Sequence, residues 1–267
     1  MLELEHGFRV VDLHVELEPD ETRRPRDIGG PEQVERELHQ AGIVAALAFP
    51  AEREEYTSAN NAVARIAVDR PLVAAARITG VRDPGTGPTA RVRNVTRSRA
   101  DRHTSPDEIE QYAYEDRFVA FALDPTVDGL PDAAVLSALE AVDLPVVTYG
   151  GRGFPPEAIE RTLLGYDFPL VVAHCGGYPL DDTMTAEMVD LLANHDGCFV
   201  DTSFVRFRDP LERAIMEHPD RVVFGSGAPA AHPNVAIMEI LTLDVPEDAM
   251  RRVFSRNAAR VLPAVAP

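Results

Sequence analysis

The sequence predicts a single-domain α/β protein, a (β/α)8 TIM barrel, on three observations. Its length of 267 residues suits one barrel. It holds about eight short runs of apolar and β-branched residues, and amphipathic stretches alternate with them, the pattern of βα units around a parallel sheet. The first run, 8–14, ends on His14. A helix follows at 31–40, with Pro31 suited to a first turn and Gly42 just beyond the last periodic residue. Strands at 43–49 and 72–78 lead to the one irregular region, 79–116, rich in Gly, Pro, Thr, Arg and Asp. It is too long and polar for an ordinary connection, and it leaves the C-terminal mouth of the third strand, so a partly ordered lid or insertion is expected there. Strands at 118–123, 144–149, 170–174, 198–201 and 222–225 then alternate with helices at 131–142, 155–164, 181–194, 210–217 and 234–241, and a last helix at 246–262 closes the chain. No repeat and no low-complexity linker divides it, so residues 1–267 read as one domain.

Composition narrows the partners. The formal net charge is -18 and the pI about 4.8, and all 26 basic residues are arginine. Such a chain is repelled by phosphate backbones and anionic lipid heads, which argues against nucleic acid and membrane and for a small-molecule substrate. Solvated carboxylates whose repulsion salt screens point to a salt-adapted, halophilic host. No stretch approaches the roughly 18 apolar residues of a membrane span, and Glu3 and Glu5 stand where a signal peptide needs a basic, then apolar start, so a cytoplasmic protein is expected. Cys175 and Cys198 lack CxxC spacing and read as buried thiols. Pairing into a homo-oligomer is left open.

In a barrel the chemistry projects from strand ends. The polar residues there are Asp12, His14 and Glu16, then Glu52, Arg77, Asp124, Tyr149, Arg152, His174, Asp201, Ser203 and Ser226. His174 precedes Cys175, Gly176 and Gly177, whose glycines permit close backbone approach, so it reads as a pocket residue. His14 reads either as functional or as a core histidine whose ring Asp12 orients from two residues away. Arg152, set among Gly150, Gly151 and Gly153, suits a carboxylate held bidentately.

Five segments resemble the amidohydrolase-related family in the right order. They are VVDLHVELEP at 10–19, LPVVTYGGRG at 144–153, VVAHCGGYP at 171–179, VVFGSGAP at 222–229 and SRNAARVL at 255–262. The resemblance implies a metal-dependent hydrolase of TIM-barrel fold, with ligands from a first-strand His-x-His pair, a fifth-strand histidine, a sixth-strand histidine and an eighth-strand aspartate that also serves as base. His14 and His174 agree with that pattern. Glu16, Tyr149 and Gly227 depart from it, and glycine can neither bind metal nor take a proton.

The expectation is therefore an amidohydrolase-like hydrolase acting on an amide, ester or lactone of a small carboxylated substrate, with or without metal. His174, Asp201 and His14 are its catalytic candidates, with His174 or Asp201 as base; Arg77, Tyr149, Arg152 and Ser226 are its substrate-binding candidates. A zinc or manganese ion would sit on His14, Glu16 and His174, a His2Glu set. The alternatives are an inactive barrel kept for binding or regulation and a decarboxylase.

Overall fold

The structure, a computed structural model, describes residues 6–19, 30–85, 87–96, 98–114 and 117–266. Eight parallel strands follow one another around a single sheet in chain order: β1 (Val10–Leu17), β2 (Ile43–Pro50), β3 (Leu72–Arg77), β4 (Phe118–Leu123), β5 (Val146–Gly151), β6 (Leu170–Tyr178), β7 (Cys198–Asp201) and β8 (Val222–Val223). β1 also bonds to the end of β8: the N–H of Leu13 donates to Phe224 O at 2.9 Å and that of Glu16 to Ala228 O at 2.8 Å. These bonds draw the ring into a barrel.

The helices are α1 (Pro31–Gln40), α2 (Thr57–Ala67), α3 (Pro88–Thr96), α4 (Pro106–Tyr114), α5 (Ala133–Val142), α6 (Pro156–Thr162), α7 (Asp182–Leu192), α8 (Arg208–Glu217), α9 (Pro233–Leu241), α10 (Glu247–Arg251) and α11 (Asn257–Val261), the last two joined by a π-helical turn at Arg252–Arg256. One apolar cluster runs up the middle of the strands through Val11, Leu47, Ala75, Ala120, Val147, Val171 and Val223, and Ala258, Val261 and Leu262 of the closing helix complete it at the end opposite the strand C-termini. A larger cluster fills the space between strands and helices. None of the helices among the described residues is long and apolar enough to cross a membrane.

The elements that differ most from the sequence reading are β1, β6, α2 and the irregular region; β6 runs past His174 to Tyr178. β1 runs on to Leu17, because a register shift between Asp12 and Val15 lets it keep pairing with β2. α2 was not expected: it lacks a side-chain N-cap and carries Asn60 and Asn61 in its middle. The irregular region holds α3 and α4, tied down at two points. Thr79 and Thr104 exchange backbone-to-hydroxyl bonds of 3.0 and 3.1 Å, and the Asn94 side chain spans the backbone of Asp83.

Candidate active site

The register shift in β1 decides where its polar residues go. It turns His14 into the barrel mouth, whereas Asp12 stays beneath, accepting the N–H groups of His14 at 3.0 Å and Ser226 at 2.9 Å. Asp12 thus fixes the backbone of His14, and the ring is oriented instead by Asp201, whose Oδ2 lies 2.8 Å from His14 Nδ1. Burial pushes the Asp12 carboxyl up to about 6, against the bonds it accepts.

Asp201, at the end of β7, is fully buried and its oxygens are occupied. Oδ1 accepts from the N–H of His174 and of Ser203, both at 2.9 Å, and from the Ser203 hydroxyl; Oδ2 takes His14. On β6, His174, Cys175 and Gly176 all adopt left-handed φ values of 60°, 46° and 69°. Such a turn is costly for non-glycine residues. Here it rolls the His174 N–H toward Asp201 and its ring into the mouth, among His14, Tyr149, Tyr178 and Phe204, with ring centroids 4.9–5.3 Å away.

Counting protons assigns both imidazoles. The single Ser203 proton goes to Asp201, so the Ser203 oxygen, 2.8 Å from His174 Nδ1, must accept. The Ser203 carbonyl, 3.3 Å from the same nitrogen, can only accept. His174 therefore carries its proton on Nδ1, and its buried Nε2 is a bare lone pair without a partner. His14 differs. Its Nδ1 faces a carboxylate, and its Nε2 lies 3.1 Å from a Tyr149 hydroxyl whose proton goes to Glu16, so both ring nitrogens donate and His14 is an imidazolium. The electrostatics agree. Burial opposes the His14 charge, but Asp201, Glu16 and Asp12 outweigh it and raise its pKa. Burial and then the charge of His14 lower His174 to about 4, while Asp201, despite burial, is held at about 2 by His14.

Arg77 closes the far side. Its Nε donates to Asp128 at 2.9 Å, Nη1 to Pro50 O at 3.1 Å, and Nη1 stands 3.7 Å from Glu16. Tyr56 lies under the guanidinium and donates to the other Asp128 oxygen at 2.7 Å, and Asn60 of α2 brackets the Arg77 backbone with bonds of 2.9 and 3.0 Å.

These side chains border a cavity of about 570 Å3, whose wall includes His14, Glu16, Arg77, Tyr149, Arg152 and His174. Asp201 lies behind that wall. So does Ser226, whose N–H serves Asp12 and whose hydroxyl accepts from Ala228 N at 3.0 Å. Arg152 stands at the rim, its side chain 66% exposed and 3.6 Å from Asp181. Ser203, Phe204, Asp128 and Tyr56 were not singled out for a role from the sequence. Only Ser203, two residues beyond Asp201, carried a signal there, as a polar group at a strand end.

His14, His174 and Asp201 each bring one ligand atom within 4.8 Å of the others, a group that could hold a divalent ion. The donors as arranged do not fit a resident hydrolytic metal. Of the His14, His174 and Glu16 donors only His174 Nε2 is without a partner; His14 Nε2 meets the Tyr149 hydroxyl at 3.1 Å, and the Glu16 carboxylate is turned to Tyr149 and Arg77. No eighth-strand ligand can be supplied either, because a Cβ on Gly227 would lie 2.5 Å from the Phe204 ring. A zinc or manganese centre needs three or four ligands.

The family model described as amidohydrolase matches residues 11–264. Among solved structures, an uncharacterized TIM-barrel protein of Bordetella bronchiseptica superposes with a TM-score of 0.70 at 17% identity, covering 97% of this chain and 99% of that one. A probable 2-pyrone-4,6-dicarboxylic acid hydrolase of Acinetobacter baumannii, with citric acid bound, gives 0.63 at 14% identity and coverages of 95% and 99%. A dihydroxybenzoic acid decarboxylase of a Polaromonas species, with bound manganese and the inhibitor 2-nitroresorcinol, gives 0.65 at 14% identity and coverages of 97% and 98%. At these identities the likenesses show the fold alone. No curated protein matches the chain.

Proposed function

Because the chain belongs to the amidohydrolase family, matching it over residues 11–264, we propose that it hydrolyses an amide, ester or lactone bond in a small substrate without a metal. The observation that carries this reading is the bare, buried Nε2 of His174, a residue of the cavity wall, beside a second imidazole already charged. Two like groups driven apart in protonation make a base and an acid of one pair.

In the proposed reaction His174 Nε2 takes a proton from a water as its oxygen bonds to the substrate carbonyl carbon. The carbonyl oxygen gains negative charge beside the His14 imidazolium. The bond to the leaving oxygen or nitrogen then breaks, and that atom receives the proton held on His174. Asp201 is a positioning residue here: its four accepted hydrogen bonds leave it nothing with which to act as base. Tyr149 and Arg77 act in the same way, Tyr149 joining His14 to Glu16 and Arg77 holding Glu16 in place. A decarboxylase is disfavoured, since the carboxylate of its substrate would meet cations that are already paired.

The test is a panel of small esters, lactones and amides, with and without chelator. Turnover should survive the chelator and fall by about 10²- to 10⁴-fold in His174→Ala. Activity that returns only with added metal would sink the metal-free mechanism, and the absence of turnover across the panel would favour the inactive barrel.

A further inference from the structure

The charges around the cavity do not suit an anion. Its three cations among the described residues are each matched: His14 by Asp201 at 2.8 Å, Arg77 by Asp128 at 2.9 Å and Glu16 at 3.7 Å, and Arg152 by Asp181 at 3.6 Å. Two further carboxylates on the wall, Glu52 and Asp124, have no cationic partner among the described residues. Asp124 accepts from Thr126 through Oδ1 alone, leaving its second oxygen open. Among the described residues the uncompensated charge on the wall is therefore negative, and His174, whose buried Nε2 has no partner, belongs to the same wall.

We propose that the pocket selects substrates bearing a positive charge, with the reacting carbonyl at His174 and a protonated amine reaching Glu52 and Asp124. The placement follows the ring. β6, which carries His174, lies across the barrel from β2, beyond whose end Glu52 stands, and Asp124 follows β4, midway around the ring between the two. Glu52 also borders a second groove, of about 1000 Å3, that continues outward from the cavity past Thr126 and Val127. That groove also carries Arg53, Arg82 and Arg102, so the charge selection belongs to the cavity and not to the groove. This reverses the expectation of a carboxylated substrate, which rested on Arg77 and Arg152 being free to receive one. The position of the carbonyl rests on the hydrolase reading; the charge selection rests on the pocket alone.

Three matched amides test it by calorimetry on the full chain: 4-acetamidobutylamine, N-butylacetamide and 4-acetamidobutanoate. The amine should bind about tenfold or more tightly than the carboxylate, with the neutral amide between them, a difference of about 1.4 kcal/mol or more. In Glu52→Gln/Asp124→Asn that ratio should fall to near one. Carboxylate binding as tight as amine binding would overturn the proposal. So would an amine preference that survives the double substitution, since it would then come from the overall charge of the molecule. A preference confirmed without cleavage of the amine probe leaves the charge assignment standing and counts against the hydrolase reading. Failure of all three to bind counts against both.

Discussion

His14 and His174 lean on one carboxylate yet hold different protons, and the difference comes from what stands between each ring and Asp201. His14 meets the carboxylate directly; His174 meets it through the Ser203 hydroxyl. Ser203 is thus the residue that sets which nitrogen of His174 is basic. Ser203→Ala should cost about 10- to 100-fold in kcat/KM, the scale of losing an orienting partner. Nitrogen NMR should then show His174 drifting toward the tautomer protonated on Nε2, and Ser203→Thr should restore both. An unchanged tautomer would remove Ser203 from the mechanism. The pH profile follows from the same pair. His174 is a base only when neutral, so kcat/KM should fall as pH drops through about 4. His14 assists only when charged, so the alkaline limb should lie above its ordinary value of 6.5. A single limb near 6.5 would mean that the rings are not differentiated.

At the scale of elements, the mouth is shaped by places where strands stop being regular. The segment after β8 approaches that after β7 so closely that only glycine fits at 227, with φ 72° and Phe204 where a side chain would go. Gly227→Ala should destabilise by about 1–3 kcal/mol through overpacking and backbone strain together. In thermal or denaturant unfolding, Phe204→Ala should relieve the packing part only, giving a clearly non-additive double-mutant cycle. Simple additivity would show that the two side chains do not compete for the space. These irregularities mark what the sequence withheld. The strand centres were legible, because β-branched runs between turns announce themselves. The shift within β1 was not, and it alone decides that Asp12 holds the His14 backbone while Asp201, 187 residues away, holds the ring. Nor could α2 be read, since Asn60, which weakens the helical pattern, serves the backbone of Arg77.

For the whole molecule, the order of the barrel and the two histidines at its mouth were readable because they depend on local pattern. The state of the arginines was not, because pairing is a property of the folded surface. Arg77 looked free in the chain and is spent on Asp128 and Glu16 in the fold. The same question of matched and unmatched charge governs stability. With 44 acidic residues against 26 arginines, 18 negative charges stay uncompensated however completely the arginines pair. Many of those pairs join neighbouring turns of one helix, such as Arg208 with Glu212 and Arg251 with Glu247, and exposed pairs of this kind contribute about 0–1 kcal/mol each. Salt weakens the pairs and the repulsion alike, but the repulsion is summed over the whole surface, so its relief should win. Raising potassium chloride from about 0.1 M to about 1 M shortens the screening length from about 10 Å to about 3 Å. The melting temperature should rise by several degrees over that range, each kcal/mol being worth roughly 2–4 °C for a chain of this size. A fall instead would show that the arginine pairs, not the repulsion between carboxylates, dominate the electrostatics of folding.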